Sequence, residues 1–113
     1  MNTEAMELVM HVESVMQPPK VTALIGKIEC EQIEAREEVI IVYDGQEIAA
    51  KVYCFEDFGK IYDEAVHGQE VVMAFYPTAT LRSIKRSHEL QEDKTYKHAK
   101  STVVVYRAKK VKI

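Results

Sequence analysis

The chain has 113 residues, 47% of them hydrophobic and 29% charged, a composition that builds one globular domain with its own core and excludes general disorder. No run approaches the roughly 18 apolar residues of a membrane span, and the acidic start (Glu4, Glu7) lacks the basic flank of a signal peptide, so a cytoplasmic protein with no membrane partner is expected. The formal charge of −3 conceals a division: residues 1–81 hold 15 acidic against 5 basic side chains, and residues 82–113 hold 3 against 10.

In chain order, residues 1–17 form an element ahead of the rest. Leu8, Met10 and Val12 alternate as in a strand, and Leu8, Val12, Val15 and Met16 also trace a helical stripe with Thr3 as N-cap; the valines favour the strand. Pro18-Pro19 ends it in either case. Val21 to Cys30 is a strand with Gly26 in its middle, the mark of a bulge or sharp bend. Val39–Tyr43 and Gln46–Cys54 flank Asp44-Gly45, a two-residue turn that matches strand twist, and so form a hairpin.

Beyond Phe55 the period changes. Phe58, Ile61, Tyr62 and Ala65 fall at i, i+3, i+4 and i+7, which predicts a short helix with an acidic start at Glu56-Asp57 and Gly68 at its end. Glu70–Tyr76 returns to strand composition before Pro77. Thr78–Ile84 offers a weakly alternating short strand, Lys85–Ser101 a long polar loop that has room for a short helix, and Thr102 onward a last strand with a basic end.

The order of strand with central glycine, hairpin, helix, strand, loop and strand resembles the OB-fold superfold, a small Greek-key barrel whose helix lies between its third and fourth strands. The resemblance covers about residues 21–113 and rests on Ala23–Ile28, Val42–Ile48 and His67–Val72. It implies an all-β domain with one helix, the barrel at 21–113 and a possible extra N-terminal strand in residues 1–17. It also implies where ligands bind: the outer face of the second and third strands, and the loops after the first and fourth.

Two surfaces answer to those places. Arg82, Lys85, Arg86, Lys97 and Lys100, with Tyr96 among them, lie on the connection after the fourth strand. Mobile cations suit phosphates and flat rings suit bases, although Glu89, Glu92 and Asp93 dilute the charge. On the hairpin, Lys51 and Tyr53 share a strand face, a cation beside a stacking ring. Tyr43 has the opposite parity, so one of the two hairpin tyrosines is expected to pack inside. Arg107, Lys109, Lys110 and Lys112 either extend a phosphate stripe or shield an edge strand from unwanted pairing.

Enzyme signatures are nearly absent, and no catalytic residue, metal site or cofactor is expected. The carboxylate pairs Glu37-Glu38, Glu56-Asp57 and Asp63-Glu64 are sequence neighbours whose side chains point apart. Cys30 and Cys54 belong to no metal-binding spacing and are expected as free thiols. Two functions remain: a non-enzymatic OB-like module that binds single-stranded nucleic acid weakly, or a protein-interaction module or homodimer in which acidic and basic surfaces meet.

Overall fold

A computed structural model describes residues 5–16, 22–43, 45–81, 88–90, 95–98 and 103–109. Eleven strands run through them: β1 (Met6–Met16), β2 (Thr22–Ile28), β3 (Gln32–Glu34), β4 (Glu38–Tyr43), β5 (Gln46–Asp57), β6 (Lys60–Tyr62), β7 (Glu64–Val66), β8 (Glu70–Phe75), β9 (His88–Leu90), β10 (Thr95–His98) and β11 (Val103–Ala108). Six of them close a barrel in the order β1-β2-β8-β5-β4-β11, and the β11–β1 pairing joins its ends; every neighbour is antiparallel. Closure leaves these strands no free edge along the circuit.

Alternation explains which face is inside. Along β4, β8 and β11 buried residues alternate with more exposed ones. Leu24, Ile28, Ile41, Val52, Phe55, Met73, Phe75 and Val105 fill the interior and are fully buried. The N-terminal segment is a strand, and it is part of the wall: β1 pairs with β2 on one side, and on the other with β11 and then with β10 at Val15↔Tyr96. The Asp44-Gly45 hairpin also holds, since Tyr43 pairs with Gln46 and Gly45 has φ +75°.

The bulge expected at Gly26 lies on the strand opposite it, while β2 itself stays in continuous register with β8. On that opposite strand, β1, the register shifts between Val12 and Ser14. A Cβ on Gly26 would fall on the His11 carbonyl oxygen and lie 2.8 Å from Met10 Cγ, so the close passage of β1 over β2 requires glycine.

The helix expected between the third and fourth strands is not there. β5 runs on to Asp57 and turns back into β6 through Phe58 and Gly59, both at positive φ (+50° and +78°), with Asp57 paired to Lys60. Two positive-φ residues in a two-residue loop are the turn geometry that matches strand twist. A helix would have carried Gly59 in its interior at a cost of about 1 kcal/mol. Ala65, the last residue of the expected stripe, lies on β7, which pairs with β3 in a small separate sheet. No α-helix occurs among the described residues.

Other expectations change in the C-terminal third. Residues 76–80 form no strand, and 82–84 lie outside the described residues. Part of the polar stretch 85–101 is a hairpin, β9–β10, rather than a loop. β11 is a wall strand rather than an edge strand, paired with β1 as far as Ala108 and with β4 as far as Tyr106, while Lys110 and Lys112 lie outside the described residues.

Candidate functional site

A break in the β5 ladder creates the site. Ile48, Ala50 and Val52 point inward, and Lys51 and Tyr53 point outward. The pairing with β8 then passes from Val52↔Phe75 to Cys54↔Ala74, so Tyr53 is the extra residue of a bulge. Past it the inward phase moves to odd numbers and Phe55 enters the core. A bulge re-aims a side chain, and here it leaves Tyr53 51% exposed on the outer wall.

Tyr76 stands beside it. Its backbone N–H donates to the Lys51 carbonyl at 3.0 Å, which carries β8 one residue further along β5. The Tyr53 and Tyr76 rings meet edge to face, with centroids 5.1 Å apart and planes at 76°. Lys51 Nζ lies 6.0 Å from the centre of the Tyr76 ring, within cation–π range.

The opposite wall comes from the β5–β6 hairpin and the β3–β7 pair. The register Phe55↔Tyr62 sets Ile61 and Tyr62 on the returning strand. Ile33 and Ala65 anchor β3 to β7 from within the core. The corner after β3 is fixed by backbone bonds from Ala35 N–H to the Asp63 carbonyl and from Arg36 N–H to the Val52 carbonyl, both 2.7 Å. The Glu34 N–H donates to the Glu37 carboxylate at 2.6 Å, and Arg36 adopts φ +75°. The result is an open cleft of about 680 Å³, lined by Tyr53, Tyr62 and Tyr76, by Ile61 and Cys54, and by Glu34, Arg36, Asp63 and Glu64.

Charge in this cleft is acidic: three carboxylates face one arginine. Glu64 accepts a hydrogen bond from Gln32 Nε2 at 2.6 Å. Among the described residues neither Glu34 nor Asp63 takes part in a salt bridge. Burial first, then the charges of Glu56 and Asp63, push the Cys54 thiol above its ordinary pKa, the opposite of an activated nucleophile. A second groove of about 510 Å³ runs over the outer face of β4 and β5 past Ile40, Ala49 and Lys51, and shares Tyr76 with the first.

The sequence-derived site residues divide accordingly. Lys51 and Tyr53 lie together on the outer face of β5, while Tyr43 packs inside. Tyr96 and Lys97 belong to β10, and Tyr96 pairs with Val15 and Leu90. Arg82, Lys85, Arg86 and Lys100 lie outside the described residues. Tyr62, Tyr76 and Arg36 were missed. Tyr62 was absorbed into the apparent helical stripe, and Tyr76 looked like a strand end before Pro77; the aromatic residue next to proline was the one available signal.

Cys30 and Cys54 are free. No group of three potential metal ligands converges among the described residues, and none of their helices is long and apolar enough to cross a membrane. Comparison with protein-family models, with curated proteins and with solved structures finds no match for this chain.

Proposed function

We propose that this chain is a non-enzymatic, OB-like interaction module that docks a partner protein in the cleft between Tyr53, Tyr62 and Tyr76. The observation that carries this reading is the gathering of exposed tyrosines on one concave surface. Four of the large exposed apolar side chains, Tyr53, Ile61, Tyr62 and Tyr76, line the cleft, and the fully exposed Phe58 is at the tip of the adjoining hairpin. Clustered aromatic surface is costly to leave in water and is the usual composition of binding hot spots. Glu34, Asp63 and Glu64 make the cleft repel a phosphate backbone, which favours a polypeptide over a nucleic acid there.

Single-stranded nucleic acid is the second reading, favoured by the ammonium of Lys51 over Tyr76 beside Tyr53. In that case Lys51, Arg82, Lys85, Arg86, Lys97 and Lys100 contact phosphates, and Tyr53 and Tyr96 stack on bases. A cytoplasmic location suits either reading.

Selection of a displayed random-peptide library on the immobilised chain separates the two, with a Tyr53→Ala/Tyr76→Ala variant as counter-target. Docking predicts enriched peptides that bind the native chain at least tenfold better than the variant. Failure to enrich, or equal binding to both, overturns it. Anisotropy of a labelled oligothymidine at low salt, lost near 200 mM salt and lost in the variant, would establish the second reading instead.

A further inference from the structure

We propose that the cleft takes the guanidinium of an arginine carried on a basic peptide segment of the partner. This rests on the docking reading above and names its chemistry. The tyrosines supply flat faces. Tyr53 and Tyr76 cross at 76°, so their faces look in different directions, and the Tyr76 face already lies under the ammonium of Lys51. The chain thus uses one of these rings for a cation of its own. Tyr53 and Tyr62 line the same cleft, both substantially exposed, and among the described residues no cation lies over either.

Carboxylates supply the counter-charge. Glu34 and Asp63 form no salt bridge among the described residues, and Glu64 uses one oxygen for Gln32 and has acceptor capacity left. Arg36 in the lining brings one positive charge against three carboxylates, so the cleft stays acidic. The raised pKa of the Cys54 thiol, which owes part of its shift to Asp63, reports the same negative field. A planar guanidinium can stack on a phenol ring and donate to a carboxylate at once, which an ammonium cannot match and an apolar or anionic side chain cannot do at all.

The probe is Nα-acetyl-arginine N-methylamide, titrated into the isotope-labelled chain and followed by amide ¹H–¹⁵N shifts, with the citrulline analogue as a neutral control of the same shape. Saturable shifts at Tyr53, Cys54 and Asp63 are expected, at least fivefold weaker with citrulline and with the Glu34→Gln/Asp63→Asn variant. Tyr53→Phe should retain them and Tyr53→Leu should lose them. Equal response to citrulline, or no cleft response to arginine, overturns the inference. If selected peptides still bind through Tyr53 and Tyr76 in that event, docking stands without arginine recognition. If arginine binds and no peptide is selected, docking falls instead. Sedimentation of the chain alone adds one further outcome: a dimer abolished by Tyr53→Ala would make a second copy the occupant and overturn the partner assignment.

Discussion

Arg107 and Glu7 are cross-strand partners, joined across the closure of the barrel by a 2.9 Å hydrogen bond from Arg107 Nε to the Glu7 carboxylate. Nη1 of the same guanidinium donates to Glu37, also at 2.9 Å. With Arg107 only 6% exposed, one positive charge of the basic end is spent inside the fold, on two carboxylates of the acidic body. Burial works against the charged guanidinium, but the hydrogen bond to Glu7 and the nearby negative groups prevail and raise its pKa.

Removing that guanidinium strands two carboxylates at one end of the barrel. Arg107→Ala is expected to cost about 2 kcal/mol, below the range for a fully buried pair because the Glu7 side chain is 35% exposed. Arg107→Met, which keeps the packing of the stem, should cost less. Urea unfolding midpoints decide it, and an alanine variant within about 0.5 kcal/mol of the native chain would show that the triad contributes nothing net.

The two glycines of the hairpin region and of β2 should respond differently to alanine. At Gly26 a Cβ collides with the β1 backbone at His11, so Gly26→Ala should cost about 3 kcal/mol, the upper end for overpacking. At Gly45 nothing lies within 4 Å and only the φ of +75° is strained, so Gly45→Ala should cost about 1 kcal/mol. Thermal denaturation of the two variants side by side checks the order. Equal losses would mean that the β1–β2 approach can relax.

The barrel walls were legible because burial imposes a period. Val39–Tyr43, Glu70–Phe75 and Val103–Ala108 alternate one face in and one out, and the valines of residues 9–15 outweighed their helical stripe. The hairpin at 58–59 was not legible from spacing, because two short strands and a turn can mimic i, i+3, i+4, i+7; Gly59 directly after Phe58 was the overlooked sign. Parity also misleads across a bulge. Tyr53 and Phe55 share a face in the sequence pattern, yet the shift between Val52 and Cys54 sends one out and the other in. Tyr62 comes to Tyr53 through that same hairpin at 58–59, and Tyr76 comes through the β5–β8 pairing, which no local pattern encodes.

Phe58 gains nothing from burial. It is 100% exposed at φ +50°, a conformation that suits asparagine ahead of glycine in this turn. Phe58→Asn should therefore stabilise the chain by about 0.5 kcal/mol, read from the urea midpoint, and should weaken peptide binding if the hairpin tip borders the docked partner. A destabilised variant would reveal that the ring packs on the fold in solution.

Tyr53 and Tyr76 can be tested as a pair. Their edge-to-face geometry predicts a coupling of about 1 kcal/mol in a double-alanine cycle, with each single variant still folded because both rings lie outside the core. A coupling near zero would mean that the rings do not hold each other in place, and the cleft would then lack a fixed wall.

Alkaline pH should erode stability through the two thiols. Burial is the first cause that raises both, with Glu56 and Asp63 adding at Cys54, and with Arg107 opposing at Cys30. A thiol whose folded pKa is raised keeps its proton after the unfolded chain has begun to release it. Its contribution is intact below the unfolded value of about 8.5 and is lost as pH climbs toward the folded pKa. Urea midpoints between pH 7 and 10.5 should therefore fall more steeply for the native chain than for Cys30→Ala/Cys54→Ala. Reaction with a disulfide reagent at pH 7.5 should be slow at Cys30, which is buried, and faster at the half-buried Cys54. Parallel pH slopes in the two proteins would place the alkaline loss outside the two thiols.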